Sequence, residues 1–210
     1  MKIRPVVPAV LALALLGPAL ASAEPVPFQI DPVHSQVGFS VRHFFGQVPG
    51  RFNDFAGTIL FDEQHAAASS VETTIQAASI YTNEPKRDTH LRGPDFFDAE
   101  KYPTITFKST KVSPAGKGKY KIAGNLTMHG VTRPVVLDTE LLGVGAVGIG
   151  GQAMGTRAGF SATLTLNRKD YGISWNKVLD NGNLMLSDEV AINLQIEAAK
   201  VEAPAGEAKK

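Results

Sequence analysis

The sequence predicts an all-β fold: an antiparallel array of about eight strands with one or two short helices. Two observations carry this expectation. Apolar side chains recur at every second position in about eight separate runs, the period of a strand with one buried face. Between those runs stand Gly, Pro and Asn residues suited to chain reversal, and only residues 83–98 offer a helix signal. Such a meander forms either a sandwich or a closed barrel. Closure removes exposed strand edges, and about eight strands enclose room for one small ligand. The runs at 69–80 and 134–142 each have about ten residues, or roughly 30 Å at about 3.3 Å per residue, so the expected interior is a long tube.

Taken in order, the chain opens with Lys2 and Arg4, an apolar run from Val6 to Leu16, and the small residues Ala21, Ser22 and Ala23. This is the pattern of a secretory signal peptide cleaved near Ala23, which assigns residues 1–23 to the leader and places the mature protein in the periplasm or outside the cell. The chain has no Cys, so disulfides and a lipid-bearing Cys are excluded. Losing Lys2 and Arg4 from 21 basic residues, against 20 acidic ones, leaves the mature chain slightly acidic, which argues against a nucleic-acid partner. No later stretch has the length and hydropathy of a transmembrane segment.

Residues 24–197 form the expected single domain. Phe28 and Ile30 suggest a brief first strand. Val37, Phe39 and Val41 then alternate with Gln36, Gly38, Ser40 and Arg42, and His43 continues the apolar face. Phe55, Ile59 and Phe61 alternate with Thr58, Leu60 and Asp62. Gly46, Pro49 and Gly50 stand between these arms, predicting one long hairpin that turns at 46–50. Val71, Thr73, Ile75 and Ala77 give a further strand. Asn83 as N-cap and Pro85 in the first turn predict a short helix, and residues 94–98 a further helical turn. Ile105 and Phe107 begin the next strand. A loop at 113–118 joins it to the strand carrying Tyr120, Ile122, Leu126 and Met128. Val135, Leu137, Thr139 and Leu141 follow, then Phe160, Ala162, Leu164 and Leu166, and finally Val190, Ile192, Leu194 and Ile196. Residues 143–155, rich in Gly, read as a flexible loop. Residues 170–186, with Tyr171, Trp175 and the turn pair Asn181-Gly182, read as a flap over one barrel end. Residues 198–210 read as a disordered tail. Leu60, Val136 and Leu142 are apolar on the opposite face, where short helices are expected to cover them.

Several chemical motifs fail on context. Gly143-Val144-Gly145-Ala146-Val147-Gly148 matches a dinucleotide-binding glycine pattern, but the residues after it alternate as a strand and not as the required helix. His34, His43, His65, His90 and His129 include no pair at the spacing of a local zinc site, so no metal is assigned. No nucleophile elbow and no Cys nucleophile is present, and no catalytic residue or cofactor is assigned. The densest polar cluster is Arg87-Asp88-x-His90-Leu91. It reads either as a charged rim for a ligand head group or, more simply, as a local surface pair of Arg87 with Asp88, His90 capping a turn and Leu91 tucked into the barrel end. His129-Gly130-Val131-Thr132 reads as a turn. His43, Arg87, Asp88, His90 and Trp175 are the candidate polar rim.

Asp31-Pro-x-His34-Ser35, Gly50-x-Phe52-x-x-Phe55-x-Gly57, Arg87-Asp88-x-His90-Leu91, Phe96-Phe97-Asp98, Tyr102-Pro103 and Gly124-x-Leu126-Thr127-x-x-Gly130-Val131-Thr132-x-Pro134 occur in this order. Together they resemble the YceI-like proteins, from about Phe28 to Glu197. The resemblance implies an eight-stranded antiparallel lipocalin-like barrel that binds a long isoprenoid chain inside, for storage or transport and not catalysis. The lining would be Val37, Phe39, Val41, Ile59, Phe61, Ile75, Ile105, Phe107, Ile122, Leu126, Val135, Leu137, Phe160, Leu164, Ile192 and Leu194. The partner would be a polyisoprenoid or quinone-type lipid, and a homodimer is compatible with the sequence. Two competing functions stay open: an enzyme acting on a small apolar substrate in the same tube, marked by inward polar groups of shifted acidity, and a packed structural barrel with no ligand.

Overall fold

The structure, a computed structural model, describes residues 24–202. The leader and residues 203–210 of the tail lie outside the described residues. Eleven strands form one antiparallel sheet. They are β1 (Val26–Ile30), β2 (Gln36–His43), β3 (Gly46–Phe52), β4 (Phe55–Phe61), β5 (Ser70–Gln76), β6 (Ile80–Tyr81), β7 (Thr104–Gly116), β8 (Lys119–Met128), β9 (Val131–Ile149), β10 (Gln152–Asn167) and β11 (Leu186–Lys200). Helix α1 (Pro85–Arg92) follows β6 and is the one α-helix among the described residues. The order β1-β4-β5-β7-β8-β9-β10-β11 closes when β11 pairs back onto β1, giving the eight-stranded barrel.

The closure depends on a bend. Near its C-terminus β11 pairs with β1, with Ile30 opposite Ala198. Its earlier part pairs with β2, with Val41 opposite Val190. So β1 and β2 share one place in the ring, and residues 31–35 bend between them. The bend is fastened to Glu197: the Asp31 N–H donates to the Glu197 carbonyl at 2.9 Å, and Ser35 Oγ accepts from the Glu197 N–H at 2.9 Å.

The predicted hairpin is corrected. The segment read as its turn is strand β3, paired to β2 with Pro49 opposite Ser40. The reversal lies at Phe44 and Phe45, with Phe44 at φ 51°. Proline is tolerated because the far side of β3 meets only β6, at Arg51 and Phe52. Gly50 serves close packing: the Phe39 ring lies where a Cβ would stand. The second arm, β4, pairs with β1 and β5 instead of β2.

Two loops and the start of the tail also differ from expectation. β7 runs to Gly116, so only a tight turn separates it from β8. Residues 143–155 are not a loop; β9 and β10 continue through them as a paired ribbon, reversing at Gly150 (φ 60°) and Gly151 (φ 84°). Ladder bonds are made by the backbone, so a glycine-rich stretch can still pair. Residues 198–200 belong to β11, and Ala198 is fully buried. The N-cap of α1 is Glu84, whose carboxylate accepts from the Lys86 N–H at 3.1 Å, while Asn83 adopts φ 62°. Residues 94–98 form a hydrogen-bonded turn and not a second helix. Leu60, Val136 and Leu142 stay exposed, uncovered by any helix.

The barrel has a helix end and a hairpin end. At the helix end, Phe52 and Phe96 cluster with Tyr171 and Ile173 of the 168–186 flap. At the hairpin end, Phe28, Phe61 and Phe160 form an edge-on stack with centroids 6.4 and 5.5 Å apart.

Candidate functional site

The interior is not a filled core, and it is not a tube open at both ends. The hairpin end is closed by the Phe28, Phe61 and Phe160 stack. Below it lies a cavity of about 190 Å³ inside the barrel. Val37, Phe39, Ile59, Phe61, Ile75, Ile105, Phe107, Ile122, Leu126, Val135, Leu137, Phe160, Leu164, Ile192 and Leu194 all line it. A second cavity of about 250 Å³ follows at the helix end, lined by Val41, His43, Arg87, His90, Phe96, Phe97, Arg168 and Trp175 among others. Phe39, Phe52, Met128, Leu166 and Ile192 line both, so the two cavities adjoin. A water needs roughly 10–15 Å³ on this kind of measure and two to four polar partners. Either cavity has the volume for many waters. The barrel cavity offers few partners beyond the hydroxyls of Ser69, Ser70, Thr73, Tyr120 and Thr139.

Thr139 is a lumen-lining residue that the alternation placed inward but nothing in the sequence singled out. It is 7% exposed, and among the described residues its Oγ1 has no hydrogen-bond partner.

The candidate polar rim divides. His43, Arg87, His90 and Trp175 line the helix-end cavity; Asp88 does not. Arg87 and Asp88 turn to Thr82 rather than to each other, correcting the expected surface pair. Asp88 is buried and its Oδ1 accepts from the Thr82 N–H at 2.8 Å and from Thr82 Oγ1 at 2.5 Å. Arg87 Nε donates to Thr82 Oγ1 at 2.7 Å. The cluster therefore ties α1 to the chain after β6. His90 bonds Asp95 through Nε2 at 2.8 Å, and its ring meets Phe96 and Trp175 edge-on at 5.0 and 5.1 Å. The ring thus fastens the 93–98 turn while walling the cavity. His43 lies 4.0 Å from the Phe44 ring, centroid to centroid.

Arg168 was not foreseen, and no local sequence signal marks it. It is 5% exposed and lines the helix-end cavity. Its guanidinium donates to the carbonyls of Ser187 (3.0 Å), Ile173 (2.9 Å) and Trp175 (2.8 Å) and meets Asp188 at 3.3 Å. It clamps the flap to the barrel. Burial pushes its pKa down, opposed by the Asp188 charge. Burial also raises the pKa of the Tyr171 phenol, whose OH has no partner among the described residues.

Side-chain donor atoms of Asp31 and His34 on the β1–β2 bend and of Glu197 on β11 lie within 4.8 Å of one another. Arg157 already supplies a cation there, 3.0 Å from Asp31 Oδ2 and 3.6 Å from Glu197 Oε1. The set is an ion-pair network that pins the bend to β10 and β11. The hydrogen bond from His34 Nδ1 to Asp31, 2.9 Å long, is the main reason that the Asp31 pKa is lowered and the His34 pKa raised.

Among the described residues no helix is long and apolar enough to cross a membrane. Comparison with known proteins agrees with the geometry. A UPF0312 protein of Vibrio cholerae is 40% identical over 164 residues, 78% of this chain and 85% of that one. A UPF0312 protein of Photorhabdus laumondii is 42% identical over 158 residues, 75% of this chain and 80% of that one. The crystal structure of Burkholderia cenocepacia BcnA superposes with a TM-score of 0.68 at 27% identity, over 81% of this chain and 99% of that one. The Campylobacter jejuni YceI protein gives 0.63 at 34%, over 77% and 90%. A polyisoprenoid binding domain from Saccharophagus degradans gives 0.59 at 16%, over 84% and 99%, a likeness of fold. The YceI-like domain model matches residues 28–198, nearly all of the closed barrel, and the chain belongs to the YceI-like family.

Proposed function

We propose that this protein is exported to the periplasm and there binds a polyisoprenoid or quinone-type lipid in its barrel, storing or carrying it without chemical change. The observation that carries this reading is the pair of adjacent cavities walled almost wholly by hydrocarbon. Water in such a space loses hydrogen bonds, whereas a hydrocarbon guest loses nothing. Burial contributes about 25 cal/mol per Å² of apolar area, so a prenyl chain burying roughly 400 Å² gains on the order of 10 kcal/mol before ordering costs are subtracted. Few polar anchors are then needed, and the closed hairpin end sets a limit on how far a chain reaches. The Saccharophagus degradans domain, described as polyisoprenoid binding, shares this fold; for the present chain the lipid reading rests on the lining.

Native mass spectrometry and organic extraction of protein purified from its source test the reading. A co-purifying prenyl lipid, or uptake of an added prenylated quinone at one per chain, is the expected result. Protein that carries no lipid and takes up none would instead be a structural barrel with no ligand.

A further inference from the structure

The barrel wall is split. The ladder between β9 and β10 stops where Thr163 faces Asp138. Yet β9 remains paired to β8 as far as Val131 opposite Met128, and β10 remains paired to β11 as far as Asn167 opposite Glu189. Residues 134–137 and 164–167 therefore face each other across a seam without a ladder. At about 3.3 Å per residue the seam is roughly 13 Å long.

Local chemistry accounts for the split. Pro134 has no N–H to donate toward β10. Immediately after β10 the chain turns away through the 3₁₀ turn Arg168–Tyr171, which the buried guanidinium of Arg168 holds to Ile173, Trp175 and Ser187. Beyond the seam the two sides meet again through side chains. Arg133 Nε donates to the Asp170 carbonyl at 3.2 Å, and His129 Nδ1 lies 2.9 Å from the Tyr171 carbonyl. The seam is thus a slot with two closed ends.

The slot opens on a recess of about 630 Å³. Val135 and Leu164 line both this recess and the barrel cavity, and Leu166 lines the recess and both cavities. Only this layer of apolar side chains therefore stands between the lumen and the recess, whose outer wall also carries Arg133, Thr165, Asn167 and Asp170. The alternatives are obstructed. Phe28, Phe61 and Phe160 fill the hairpin end, and α1 with the 168–186 flap covers the helix end. Tyr171, 2% exposed and with a hydroxyl that has no partner among the described residues, forms part of the recess wall.

We propose that this lateral slot between β9 and β10 is the portal through which the apolar chain of the guest enters and leaves the barrel. The proposal rests on the lipid-binding reading above and adds its route. A chain fed sideways need not pass the aromatic stack, and separating two strand ends that are already unpaired breaks no ladder bond.

The test uses the full mature chain, which has no Cys and a single Trp, Trp175, in the wall of the helix-end cavity. Val136 and Thr165 would face each other if the register continued, and both are exposed. Val136→Cys with Thr165→Cys is bridged by a short reducible bismaleimide. The control bridge joins Asp138→Cys to Thr163→Cys, across the part of the ladder that is already paired. The probe is a benzoquinone bearing two isoprene units, supplied from neutral phospholipid vesicles and read by quenching of Trp175. Bridging the slot is expected to slow both uptake and release by roughly tenfold or more, with the equilibrium constant changed by less than about twofold. Reduction of the bridge restores the rates, and the control bridge leaves them unaltered. Equal rates with and without the slot bridge, or equal slowing by the control, overturn the portal. Absence of binding by the unbridged protein is seen before any bridge is made, and overturns the lipid reading together with the portal.

Discussion

Replacing Thr139 with Val tests the interior directly. Thr139 stands on β9 between Tyr120 of β8 and Ala162 of β10. Its side chain lines the barrel cavity, and its buried Oγ1 has no partner among the described residues. A buried hydroxyl left unsatisfied costs about 1–3 kcal/mol. Valine keeps the branched shape and the preference for strand, and removes the polar atom. Thr139→Val should therefore stabilise the delipidated protein by about 1 kcal/mol, near the low end because the cavity lets the hydroxyl rotate. For a chain of this size that is a rise in Tm of roughly 2–4 °C. The assay is thermal and urea unfolding of protein extracted with organic solvent, compared with the parent under the same conditions. The gain should shrink when a prenylated quinone is bound, if a guest oxygen takes the Thr139 hydroxyl. Destabilisation of the extracted variant by about 1 kcal/mol or more would mean that the hydroxyl is already satisfied, and the account of a dry, apolar lumen would be wrong.

Three further outcomes are expected. Leu164→Lys, on a side chain shared by the lumen and the slot, should abolish quinone uptake while far-UV circular dichroism stays native, because an ammonium group beside the guest is poorly solvated; full uptake by the folded variant would show that Leu164 does not contact the guest. Arg168→Ala removes the hydrogen bonds that clamp the flap and should cost about 3 kcal/mol in urea unfolding, with a red shift of Trp175 emission as the flap loosens; unchanged emission would refute the clamp. On the β1–β2 bend, His34 is raised above its ordinary 6.5, so its contribution is complete below that value and is lost as pH rises through the raised pKa. Asp31 is lowered below 3.8, so its contribution holds above that value and is lost as pH falls through the lowered pKa. Asp31→Asn should bring the His34 titration, followed by NMR, back toward 6.5; a titration that stays raised would mean that another group holds the proton.

The sequence alone determined which side chains face inward. Alternation is a local property of an extended chain, so Phe39, Ile105, Leu137, Leu164 and Ile192 could be assigned to one face without knowing their neighbours. It did not determine which strand pairs with which. The stretch with Gly46, Pro49 and Gly50 carries turn residues, yet it became β3, since a strand with little beyond it tolerates proline and the Phe39 ring needed a residue without Cβ. The glycine-rich 143–155 stretch likewise carries no side-chain signal for strand, yet the backbone of its partner supplies the ladder. The Arg168 clamp, the unpaired Thr139 hydroxyl, the joint hold of Arg87 and Asp88 on Thr82 and the slot between β9 and β10 came only with the tertiary structure. The Arg168 contacts with Ser187 and Asp188 and the slot between β9 and β10 join groups distant in sequence, and a local pattern holds no record of such distances. Arg87 and Asp88 lie within six residues of Thr82, but alternation of apolar residues does not say which partner a polar side chain takes.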